Sequence, residues 1–247
     1  MKISFAAAVL AVFYFSAPAA AFTHLAGEDT RFLGRDGKQM EGWLDYSASR
    51  EGPDRYNTSA SAKLTYGLWE NLDLMVTVPW HGWNSRGISE SGLGDALLEA
   101  KFQAARKSGW TLALKPGFSL PAGDEAKSLG AGKGGVWLYG IAGKTLGPWQ
   151  FYLNAGFILN RNSLDERINI LKTSAAALLK VHPRLLAAAG VDAATNKDKS
   201  SSSNPVTSVF GLVWSPYPAL DLDAGLRLGL TRAAISEGLV AGFTLRI

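Results

Sequence analysis

The chain of 247 residues contains no cysteine. Disulfide bracing, zinc–thiolate centres and cysteine nucleophiles are therefore excluded. Histidine is scarce as well. His24, His81 and His182 stand in three separate segments with no H-x-x-x-H pairing, so the sequence indicates no metal site. Beyond the first 21 residues no stretch approaches ~18 consecutive apolar residues, which leaves no later candidate for a transmembrane helix. A strong excess of one charge is also missing. The net charge of +4 is mild and dispersed, and argues for no nucleic-acid partner.

What is present begins with a secretory signal over residues 1–21. Lys2 supplies the positive start, Ile3 to Phe15 an apolar stretch, and Pro18-Ala19-Ala20-Ala21 the small residues of an A-x-A cleavage site after Ala21. A retained N-terminal membrane helix is the alternative, but the stretch is short and ends in small residues rather than a charged stop. An exported chain without disulfides must hold itself together in another way. A closed β-barrel does so through its ladder of backbone hydrogen bonds.

The dominant pattern is a period of two. In Leu220-Asp221-Leu222-Asp223-Ala224-Gly225-Leu226-Arg227-Leu228 every even residue is apolar and every odd one is charged or glycine. Such a strand meets an apolar medium on one face and water on the other. After an irregular lead-in over residues 22–39, read as a segment that tucks into the lumen, about twelve such segments fit within residues 40–247. The connections alternate between tight turns and longer loops rich in Gly, Ser, Asn and charge, at 50–56, 81–94, 121–134, 160–167, 195–205 and 231–236. This alternation suits an all-β, membrane-spanning, antiparallel up-and-down barrel with brief periplasmic turns and longer external loops. A soluble sandwich gives no reason to sort loops by length. Trp69, Trp110, Trp149, Trp214 and Tyr217 lie in or beside the short turns, and Tyr56, Trp80 and Trp83 beside the long loops. Two belts of amphipathic rings at headgroup depth are expected from this. The expected location is the bacterial outer membrane, with lipid around the barrel and the barrel-assembly machinery as a partner during biogenesis.

The parity of each strand sorts its polar residues inward. Asp45, Lys63, Asp73, Asp95, Glu99, Lys101, Lys115, Lys144, Asn154, Asp192, Asp221, Asp223, Arg227 and Arg246 are expected to line the lumen. In the alanine-rich segment 169–181 the parity is set by keeping Lys172 and Lys180 inside, because a lysine in lipid near the midplane costs ~2–4 kcal/mol. A narrow polar passage of mixed sign is one outcome of this lining. A lumen filled by its own paired charges, leaving a structural or interaction barrel, is the other.

Two further motifs carry little chemistry. Gly130-Ala131-Gly132-Lys133-Gly134-Gly135 resembles a phosphate loop but lacks the Ser/Thr after its lysine and a following helix. An outer-membrane lipid hydrolase would need a histidine aligned with a serine and an orienting polar group. Only His81 with Ser85 or Asn84 is close in sequence, and all three lie in a long loop. No catalytic residue and no cofactor is indicated.

His24-Leu25-Ala26-Gly27-Glu28-Asp29-Thr30, Gly92-Leu93-Gly94-Asp95, Leu120-Pro121-Ala122-Gly123 and Asn154-Ala155-Gly156-Phe157 resemble the outer-membrane transporter family of meta-pathway (MetA-type) phenol degradation. The resemblance implies a roughly twelve-stranded barrel. It also implies a role in moving small, often aromatic or hydrophobic, molecules across the outer membrane. Two features depart from the pattern. The chain ends in Ile247 rather than Phe or Tyr, and the lead-in is expected to be too short for the full plug of larger hydrophobic-compound channels.

Overall fold

The computed structural model describes residues 27–49 and 55–247. The expected signal peptide lies outside them. Thirteen strands follow one another: β1 (Lys38–Ala48), β2 (Arg55–Trp69), β3 (Leu72–Ser85), β4 (Ile88–Leu93), β5 (Ala96–Lys107), β6 (Trp110–Leu120), β7 (Val136–Leu146), β8 (Trp149–Leu159), β9 (Asn169–His182), β10 (Leu185–Ala194), β11 (Val206–Tyr217), β12 (Leu220–Gly229) and β13 (Glu237–Arg246). Each pairs antiparallel with its sequence neighbour, except that β4 pairs with β3 alone and β5 also returns to β3. Twelve strands thus form the wall and β4 is an extension of it. β1 meets β13 from Gln39↔Arg246 to Ala48↔Glu237, which closes the cylinder. Closure is obligatory in lipid, where an open edge would leave a row of backbone donors and acceptors unsatisfied.

The outer face is apolar and exposed. Leu44, Leu64, Val76, Leu153, Phe157, Leu212 and Leu239 all point away from the lumen with large accessible surface. A soluble monomer rarely exposes so continuous an apolar band, whereas a bilayer requires one. Among the described residues no helix is long and apolar enough to cross a membrane. The one helix described is a 3-10 turn at Glu125–Lys127 in the loop after β6.

Three details differ from the sequence reading. Residues 81–94 do not form an irregular loop: β3 continues to Ser85, turns at Arg86-Gly87 and returns as β4, so the hairpin stands beyond the rest of the wall. Trp83 consequently falls on the inward parity of β3 and its indole donates to the Lys127 carbonyl (2.9 Å), so it does not join the lipid belt. Lys144 is the third. Expected inside, it sits on the outer face, because the Gly147-Pro148 turn pairs Leu146 with Trp149 and hence Lys144 with the lipid-facing Phe151. Directly opposed residues share a face, so Lys144 inside and Phe151 outside are incompatible. Its ammonium lies 4.9 Å from the Trp110 ring centroid, close to the short-turn end where a lysine can reach the headgroups. Trp69, Trp80, Trp110, Trp149, Trp214 and Tyr217 are all exposed on the outer face.

Candidate functional site in the lumen

The chain enters the barrel before it enters the sheet. Residues 27–37 run along the lumen, and Gly27 sits against Ser174 and Asn154 of the wall. Lower down, the Leu33 amide donates to both carboxylate oxygens of Asp73 (3.3 Å each). At the short-turn end Asp36 N donates to the Gly67 carbonyl and Gly67 N to that of Gly37, each at 2.8 Å. These backbone bonds anchor the segment where β1 begins, and the rest of it is held by charge.

The alternation aims acids and bases at this segment from opposite walls. Lys115 Nζ bridges Glu28 (2.7 Å) and Glu99 (2.8 Å), and Glu99 also accepts from the Trp137 indole (3.1 Å). Asn154 Nδ2 donates to the Glu28 carbonyl (3.1 Å). Asp29 pairs with Arg31 and with Lys101 (3.4 Å), whose ammonium lies 5.3 Å from the Phe32 ring centroid. Lys63 pairs with Glu41 at 2.7 Å. Burial alone would raise the Glu28 carboxyl, but Lys115, then Lys63 and Lys101, outweigh it and hold the pKa at about 2. The same opposition at Asp29, burial against Arg31 and Lys101, resolves well below the usual carboxylate range.

Beneath and beside this network the lumen is packed with apolar side chains. Tyr152, Leu178, Leu186, Val209, Val213 and Val240 form a buried cluster on the inward faces of β8 to β11 and of β13. Asp221, fully buried, pairs with Arg246 and accepts from Ser215 Oγ (2.6 Å). The half of the barrel nearest the short turns is therefore filled by these wall side chains and the lower lead-in together.

The half nearest the long loops is open. A cavity of about 1140 Å³ occupies it, with Gly27, Glu28, Lys63, Lys115 and Asn154 at its floor. Trp43, Trp83, Trp137 and Tyr139 contribute aromatic walls, and Asp45, Lys172, Asp192 and Arg227 contribute charge. Gly117 and Gly156 make room for two of the rings: a Cβ on either would stand 2.4 Å from Trp137 or 2.1 Å from Tyr139. At the rim the loop after β6 folds back over the opening. Asp95 clamps it by accepting from Gly123 N (3.0 Å) and Ala131 N (2.8 Å), which carries the buried Leu129 to the cavity. Asp95 reaches the loop because β3 and β5 fall out of step there, with Val78-Pro79 facing Gly94-Asp95-Ala96.

The expected lining residues thus separate into groups. Lys63, Asp73, Glu99, Lys101, Lys115 and Asn154 meet the lead-in or its partners. Asp45 and Arg227 pair across β13, and Asp192 borders the cavity. Asp221, Asp223 and Arg246 lie in the filled half, Asp95 is a loop clamp, and Lys144 is outside. Sequence reasoning missed Glu28, Asp29 and Arg31, whose segment has no period to read. It also missed Glu41 and Trp43, which share the parity of Asp45 and were legible from it.

Comparison with solved structures finds the same fold in barrels of outer-membrane proteins. The COG4313 outer membrane channel from Pseudomonas putida F1 superposes with a TM-score of 0.71 at 17% identity, covering 89% of this chain and 98% of that one. The translocator domain of the autotransporter NalP from Neisseria meningitidis gives 0.56 at 9% identity, covering 88% and 91%. The KdgM porin gives 0.53 at 10% identity, covering 84% and 98%. At these identities the likeness is one of fold. No curated protein matches the sequence. A family model matches residues 59–247, most of the barrel, and on that match this outer-membrane β-barrel belongs to the family described as "Putative MetA-pathway of phenol degradation".

Proposed function

We propose that the protein is a passive, non-enzymatic outer-membrane channel for small aromatic or otherwise apolar solutes, and that the lead-in closes it at mid-depth. The observation that carries this reading is the floor of the outer cavity. It is made by Gly27 and Glu28, part of a separate chain segment threaded through the lumen, rather than by wall side chains alone. A segment held mainly by ion pairs at one end and by backbone hydrogen bonds at the other can withdraw without unzipping the wall. The indoles and the Tyr139 ring suit a flat apolar solute, and the surrounding charges of both signs give no strong ion preference. The descriptions of the P. putida channel and of the porin agree with this reading, as does that of the family.

Hydrolase chemistry fits poorly. His81 and Ser85 share the inward parity of β3, but four residues of strand rise separate them by roughly 13 Å, and Asn84 takes the opposite face. The second reading, a structural barrel with a self-filled lumen, draws on the apolar cluster and the Asp221–Arg246 pair. Deleting residues 22–33 from the mature chain and measuring swelling of liposomes in a panel of small phenols and sugars separates the two. Solute entry that rises on deletion supports the channel. Equal silence from wild type and deletion supports the filled scaffold.

A further inference from the structure

The outward placement of Lys144 leaves a positive charge on a lipid-facing strand, and it is not alone. The register joins Lys107 of β5 to Trp110 of β6, Trp110 to Lys144 of β7, and Lys144 to Phe151 of β8. Opposed residues share a face, so this row of four points into the membrane at the short-turn rim. Neighbouring strands lie ~4.8 Å apart, which sets the two lysine Cα atoms roughly 10 Å from each other with the Trp110 ring between them. Neither lysine has a carboxylate within ion-pair distance among the described residues, and the Lys144 ammonium rests against the Trp110 face. Trp149 stacks on Phe151 at 6.0 Å and walls the row on one side. Further into the membrane the same face continues as exposed Leu112 and Leu153.

We propose that Lys107, Trp110 and Lys144 form a binding site for the phosphate of an anionic phospholipid in the periplasmic leaflet. The two ammonium groups would converge on the phosphodiester oxygens in charge-assisted hydrogen bonds, with the glycerol backbone over Trp110 and acyl chains along Leu112 and Leu153. Charge complementarity selects this occupant. Two cations without acids on a lipid-facing surface need an anion at headgroup depth, and a phospholipid supplies both the anion and the chains that cover the apolar strip. The field of the rim supports it, because exposed Arg35, Lys38, Arg106 and Arg184 outnumber the exposed acids Asp36 and Glu70 at that end.

The test is native mass spectrometry of the intact barrel in a nonionic detergent, titrated separately with dioleoyl phosphatidylglycerol, dioleoyl phosphatidylcholine and inorganic phosphate. Wild type is expected to retain phosphatidylglycerol preferentially. The double variant K107Q/K144Q is expected to lose about thirtyfold in that affinity, as two lysines at ~1 kcal/mol each imply, while its heat-modifiable migration shows the barrel folded. R106Q/R184Q, which changes rim charges outside the row, is expected to lose less than the double lysine variant. The proposal is overturned if K107Q/K144Q binds phosphatidylglycerol as tightly as wild type, or if phosphatidylcholine is held equally well. It is also overturned if inorganic phosphate displaces the lipid at comparable concentration, which would make this a free-anion site.

Discussion

Replacing Lys115 with glutamine tests whether orphaning the two carboxylates beside it opens the channel. Lys115 is 4% exposed and joins two carboxylates, half-buried Glu28 of the lead-in and Glu99 of the wall. Removing one partner of a buried ionic cluster costs ~3–5 kcal/mol, because the opposite charges stay behind without compensation. The protein can relieve that cost locally. The segment from Gly27 to Leu33 can withdraw into the outer cavity while the backbone bonds of Asp36 and Gly37 to Gly67 keep it anchored below. The stated cost corresponds to a shift of about two to three and a half powers of ten in the open-to-closed ratio of the lead-in. Single-channel recording in planar bilayers at neutral pH should therefore show K115Q open far more often than wild type. The triple variant K115Q/E28Q/E99Q carries no orphaned charge and should return toward wild-type closure. A folded K115Q barrel that stays as closed as wild type would refute the reasoning. A triple variant as open as K115Q would refute it too, since size rather than charge would then be responsible.

Three other outcomes follow from the geometry. Glu28 has a pKa lowered from 4.5 to about 2, so its hold on the lead-in is complete above about pH 4.5 and is lost as the pH falls toward 2. Channel opening should rise through that acid window, and opening that instead grew from pH 5 to 8 would contradict the assignment. Asp95→Ala removes the acceptor of two loop amides, each hydrogen bond to a charged group being worth ~1.5–3 kcal/mol. Limited proteolysis should then cut near Lys127 or Lys133 well before it does so in wild type, with strand β5 unaffected. Leu153→Arg puts a cation on the lipid face near mid-strand and should cost ~2–4 kcal/mol in urea unfolding from vesicles; no change would place that face outside the bilayer.

Much of the wall was legible because its determinants are local. The alternation around Asp221, Asp223 and Arg227 predicts their inward placement without knowledge of any partner, since a strand's two faces differ only by parity. The opposite faces of Leu222, Ala224 and Leu226 follow for the same reason. Lys144 shows where this logic stops. Its own segment, Gly140-Ile141-Ala142-Gly143-Lys144, alternates weakly, so the segment alone did not fix its parity. The Gly147-Pro148 turn decided it by pairing Lys144 with Phe151. Residues 81–94 failed differently: their glycines and polar residues resemble a loop, yet strand pairing beyond the membrane needs no apolar face.

By itself the amino-acid order determined the closed, lipid-facing cylinder, its strand number and the sorting of long loops from short turns. Each of these depends on how one residue differs from the next along the chain. Only the tertiary structure decided that Glu28 meets Lys115 across 87 positions of sequence, that Gly27 and Glu28 form the floor of the outer cavity, and that Asp95 holds a loop over its rim. Those contacts arise between segments with no periodic relation to one another. They exist because closing the barrel brings opposite walls within reach of a single threaded chain.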